Sequence, residues 1–77
     1  MTKGETYKNT NDLCKIEFLS METHYMKTDG KQGVKKVKYD EPLLKFKYIE
    51  SIVKKGEVDF KESEWERLVK QGMFVRI

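Results

Sequence analysis

Asp29-Gly30-Lys31-Gln32-Gly33 constrains this chain more than any other stretch of its length. Asp-Gly supplies positive φ at little steric cost, and the second glycine admits a bulge or a longer loop. On the N-terminal side, Leu13 to Leu19 alternates. Cys14, Ile16 and Phe18 point one way, Lys15 and Glu17 the other, as in a half-buried strand. The phase then changes, because Leu19, Met21, Thr23 and Tyr25 continue on the opposite parity. A bulge near Leu19 or Ser20 reconciles the two halves by setting two residues against one partner. On the C-terminal side, Val34 to Tyr39 alternates weakly, with Val37 and Tyr39 on one face. Residues 13–39 therefore read as a β-hairpin, with strands over 13–27 and 33–39.

The flanks are less uniform. Residues 1–11 are polar and turn-rich, with Tyr7 as the one anchor, and read as a loose N-terminal arm ahead of a single domain over 12–77. Asp40-Glu41-Pro42 interrupts the second strand, since proline lacks an amide proton and suits an edge, a turn or a first helical turn. Beyond it two patterns compete. Leu44, Phe46 and Tyr48 alternate with Lys45 and Lys47, as a strand would; Phe46, Ile49 and Val53 space as a helix. The cations and glycine of Lys54-Lys55-Gly56 favour a helix over 47–55, against a second hairpin turning at Lys55-Gly56. Val58 and Phe60 make a short extended piece. Ser63-Glu64-Trp65-Glu66 has the form of a capping box, opening a helix over 63–71 with Trp65, Leu68 and Val69 inward. Gln71-Gly72 stops it, and 73–77 reads as a final strand with Met73, Val75 and Ile77 on one parity.

The fold class is thus α+β: a small antiparallel sheet joined by 73–77 and by 57–61, with one or two helices on one face. The expected core is Ile16, Phe18, Val37, Phe46, Ile49, Val53, Phe60, Trp65, Leu68, Val69 and Val75. A core built from 77 residues is thin, which leaves part of the stabilisation to a partner, a second copy in a homodimer, or a ligand.

Charge supplies the clearest hint of function. Residues 34–48 hold five lysines and two acids, while the remaining sixty-two residues carry eleven basic and eleven acidic side chains. The whole formal +3 lies in that segment, interleaved with Tyr39, Phe46 and Tyr48. Lysines neutralise phosphates and release counterions, and aromatic rings stack on unpaired bases. Lys35, Lys36, Lys38, Lys45 and Lys47, with Tyr39 and Tyr48, are the candidate contacts to nucleic-acid backbone. Strict alternation also fits an ordinary element with rings inward and lysines in solvent. Exposed rings at 39, 46 and 48 favour stacking; buried rings favour a small regulator or inhibitor that occupies an acidic protein surface. A small accessory protein of a mobile element or phage would fit that alternative. No arginine lies in the segment, so any nucleic-acid contact is expected to be weakly specific. A second asymmetry is acidic: 57–66 holds five acids and one lysine.

Motifs for chemistry are lacking. The phosphate-loop and dinucleotide patterns are absent around Gly30 and Gly33. His24 is the one histidine and Cys14 the one cysteine, which supports neither a triad, a metal site nor an internal disulfide. Cys14 reads as a small buried thiol and His24 as solvent-exposed. No catalytic residue, metal or cofactor is expected, and the chain is not read as an enzyme. It has no long apolar run to serve as a membrane span. A lone thiol suits a reducing, cytoplasmic setting.

Overall fold

The computed structural model describes residues 1–31, 33–52 and 54–77. The elements are β1 (Thr6–Asn9), β2 (Lys15–Asp29), β3 (Gly33–Glu50), β4 (Glu57–Lys61), α1 (Glu62–Lys70) and β5 (Phe74–Arg76). The strands form one antiparallel sheet in the order β4-β3-β2-β1-β5. Helix α1 leaves one edge strand, crosses one face and delivers the chain to the other edge.

Long β2 and β3 dominate. They pair from Lys15↔Glu50 to Asp29↔Gly33, so the hairpin expected from the Asp-Gly turn is present and longer than its sequence limits. Gly33 has φ 84°, the left-handed region that a glycine takes without strain. The expected bulge is also present: Phe18 pairs Phe46 and Ser20 pairs Lys45, leaving Leu19 extra. That slip carries Met21 onto the face of Ile16 and Phe18, where it pairs Leu44.

Several expectations are corrected. The described residues of 47–55 contain no helix; Gly33–Glu50 is one strand followed by β4 as its antiparallel partner, with Tyr48 N–H donating to the Gly56 carbonyl at 2.9 Å. The alternation of Leu44, Phe46 and Tyr48 outweighs the helical spacing because a partner strand stands on each side. The segment 57–61 joins the sheet as β4. The loose arm is corrected too: Thr6–Asn9 form β1, between β2 and β5, and Tyr7 is buried. In β5 the parity is the reverse of that expected: Phe74 faces the core, and Val75 is 49% exposed beside Lys8 on the outer face.

The core is an aromatic cluster centred on Trp65. Its ring centroid lies 4.5 Å from Phe46, 4.9 Å from Tyr7, 5.1 Å from Phe74 and 5.5 Å from Phe60. Ile16, Phe18 and Leu44 complete the buried set, with Tyr48, Val58, Phe60, Leu68 and Met73 packed around it. Ile49 and Val69, expected inside, are exposed, and Val37 is half-buried. Val53 lies outside the described residues. Burial of Cys14 agrees with its expected place. The sheet's other face is charged and open: Lys15, Glu17, Lys45, Lys47, Glu50, Glu57 and Asp59 alternate in sign across β2, β3 and β4, while Lys8 on β1 stands opposite Lys15.

The molecule is long for its size. Its Cα radius of gyration is 14.8 Å and its extents are 47 × 25 × 20 Å. A compact chain of this length would have a radius near ~11–12 Å. The difference is the far half of the β2–β3 hairpin, which leaves the sheet as a two-stranded ribbon.

Candidate functional site

The ribbon begins at an irregularity. Glu22 pairs Leu43 and His24 pairs Lys38, so residues 39–42 stand opposite Thr23 alone. Asp40-Glu41-Pro42, read from the sequence as an interruption, is this bulge inside β3. Beyond it, His24 to Asp29 pair only with Gly33 to Lys38, over about 20 Å at the usual rise per residue.

Two contacts fasten the bulge to the body. Both the backbone N–H and the hydroxyl of Ser63 donate to Glu41 Oε1, at 2.9 and 2.6 Å. Lys61 Nζ lies 3.7 Å from Asp40. The expected capping box is therefore corrected. The residue at the cap, Lys61, makes no side-chain capping hydrogen bond, and the early helical amide of Ser63 is satisfied by a carboxylate from β3. A free carboxylate at a helix N-terminus meets both unpaired N–H groups and the positive dipole end. The hydrogen bonds from Ser63 hold the Glu41 carboxyl below its ordinary pKa.

Opposed residues on paired strands share a face. One ribbon face carries Lys27↔Lys35 and Tyr25↔Val37, with Tyr39 beside Tyr25 at a ring separation of 4.9 Å. The other carries His24↔Lys38, Met26↔Lys36 and Thr28↔Val34. Lys31 sits in the turn. Residues 23–40 hold five lysines and two acids, and the other fifty-nine residues carry eleven of each sign. The ribbon thus bears the entire net charge. Its two acids stand at its ends, Asp29 at the turn and Asp40 at the root.

The seven candidate contacts divide. Lys35, Lys36, Lys38 and Tyr39 lie together on the ribbon. Lys45, Lys47 and Tyr48 lie on the body and belong to a different environment. Lys45 is 3.6 Å from Glu22; that carboxylate first, then Asp59 and Glu57, raise its pKa. Lys47 pairs Glu17 on one side and Glu57 on the other. Tyr48 is half-buried against the core, with Lys54 Nζ 6.0 Å from its ring centroid, and Phe46 is 0% exposed. The second half of the segment is therefore a solvated, charge-balanced face over a buried row of rings. What the sequence left out is Tyr25, Lys27 and Lys31. The hairpin register brings the first two opposite Val37 and Lys35, and the turn signal at 29–33 was the clue to that pairing.

The residues with chemical potential are scattered. Cys14 immediately precedes β2 and His24 lies ten positions on within it, so the two do not meet across the sheet. Burial, then hydrogen bonding to Asp12, raises the Cys14 pKa from 9.0 to about 11. His24 Nδ1 lies 2.8 Å from Thr23 Oγ1 and is half-buried rather than exposed. No cluster of three or more potential metal ligands occurs among the described residues. No helix among them is long and apolar enough to cross a membrane. No family model, curated protein or solved structure matches the chain.

Proposed function

We propose that this protein is a small non-catalytic binding module whose basic β-ribbon contacts nucleic-acid backbone, acting by attachment and performing no reaction. One observation carries this reading: a neutral body holds out a narrow ribbon on which all the surplus positive charge is gathered. Lys27↔Lys35 sets like charges directly opposite each other, which destabilises a two-stranded pair. The body has one such pair too, Lys8 opposite Lys15, but there Glu50 answers Lys15 at 2.8 Å, whereas no acid lies within the ribbon's paired strands short of Asp29 at the turn. An unanswered cost of that kind supports use by a ligand of opposite sign.

Phe46 is buried and Tyr39 and Tyr48 are half-buried, so base stacking drops out and the rings by themselves favour a protein surface; the backbone reading rests on the ribbon's charge alone. The contact is one of charge, through Lys27, Lys31, Lys35, Lys36 and Lys38. For three to five neutralised phosphates, log K should fall with log[salt] at a slope of roughly −2 to −5. A flat salt response, or binding unchanged when these lysines are replaced by glutamine, rejects it.

A second reading has its own support. The ribbon's strand edges have no further strand partner among the described residues, and Met26 and Val34 are 64% and 62% exposed between its lysines. An acidic protein surface could use both, through main-chain pairing and apolar contact. A one-to-one complex with a defined protein that survives nuclease treatment selects this reading over the first.

A further inference from the structure

The shape of the ribbon narrows the class of nucleic acid, and this step rests on the backbone-binding reading above. A single strand laid along a β surface uses one face, with bases on exposed rings and phosphates on flanking cations. The ribbon is not built that way. Its cations are shared between its faces, Lys27 and Lys35 on one and Lys36 and Lys38 on the other. Between Asp29 and Asp40 at its ends neither strand carries an acid. Its one pair of neighbouring rings, Tyr25 and Tyr39, lies against itself at 4.9 Å, so part of each ring's surface is already covered. A one-sided strand would leave two lysines facing water and find little free stacking surface.

Phosphates on both sides are what such a ribbon fits. The groove of a duplex provides them, since its two walls are the two backbones. A β layer with its side chains is about 10 Å thick, and the major groove of B-form DNA is about 12 Å wide. The minor groove, about 6 Å wide, is too narrow without distortion, and the major groove of A-form RNA is deep and narrow. The paired part of the ribbon, about 20 Å long, spans roughly half a turn of duplex. We infer that the ribbon enters the major groove of duplex DNA edge-on, Lys27 and Lys35 meeting one phosphate wall and Lys36 and Lys38 the other. Without arginine or a bidentate amide on the ribbon's paired strands, the insertion reads groove shape and charge more than base sequence.

Fluorescence anisotropy tests this with a 20-base-pair duplex DNA, one of its single strands and a duplex RNA of the same sequence. Two double variants are compared with the parent protein: Lys27→Gln with Lys35→Gln, and Lys36→Gln with Lys38→Gln. Glutamine keeps side-chain length and removes only charge, and circular dichroism checks that the sheet persists. The duplex DNA should bind tightest. Each double variant should lose affinity for it on the order of tenfold and lower the salt slope by about 2. Tighter binding of the single strand or of duplex RNA, or loss confined to one face, overturns the groove inference while leaving backbone binding intact. Absence of salt-dependent binding to all three overturns both.

Discussion

Trp65 and Glu41 show how single side chains carry this fold. The indole touches rings from β1, β3, β4 and β5, so its removal opens the core on several sides at once. Trp65→Ala should cost about 3–5 kcal/mol, most of what a domain of this size has in hand. Denaturant titration should then find the variant largely unfolded in buffer. Glu41 acts through its charge. Its carboxyl pKa is depressed in the folded state, so the unfolded chain binds its proton first as the solution is acidified. The stabilisation is whole above the ordinary carboxyl value of 4.5 and is lost as pH falls through the lower folded value. Asp12 adds to the same limb, its pKa lowered from 3.8 to about 2 by hydrogen bonds from Cys14 and then Lys54. Glu41→Gln should flatten part of the acid-side loss in Tm against pH. Cys14 acts on the opposite limb. Its raised pKa gives stability that is complete below 9.0 and lost as pH climbs toward about 11, and the native thiol should react far more slowly with a maleimide at pH 8 than after unfolding.

Among the elements, the ribbon departs furthest from what a stability argument would build. Two strands alone in water are marginal, and this pair adds a like-charge couple. Lys35→Glu should place an opposite charge across from Lys27, raising Tm by a few degrees while weakening any anionic ligand. A gain in both stability and binding would contradict the role given to that lysine. The hairpin was legible because its turn chemistry and the parity change at Leu19 are local signals. The fate of 47–55 was not, because Phe46, Ile49 and Val53 satisfy a helical spacing as well as Leu44, Phe46 and Tyr48 satisfy a strand. Only the neighbouring strands β2 and β4 decide between them. The candidate site was half legible for the same reason. A run of lysines in sequence shows charge density, but the acids that offset Lys45 and Lys47 come from 17, 22, 57 and 59, on other strands or beyond a bulge. Likewise Ser63 and Glu66 had the right spacing for a capping box, yet a carboxylate twenty-two residues upstream occupies the place.

For the whole molecule, shape and charge are separated along one axis. The body is electrically even, and the projection is cationic. Hydrogen exchange should reflect this, with protected amides in Ile16–Phe18 and Leu44–Phe46 and fast exchange over residues 24–29 and 33–38, slowed when an anionic ligand is bound. Equal protection along the hairpin in the free protein would contradict an unsupported ribbon. The clasp between the Glu41 carboxylate and Ser63 has a practical outcome. Ser63 stands two positions before the chain's single indole, so strain applied where the finger meets the palm reaches a natural fluorophore. Occupancy of the distal tip should be readable as a change in intrinsic emission, without any label, and Glu41→Gln should mute that signal.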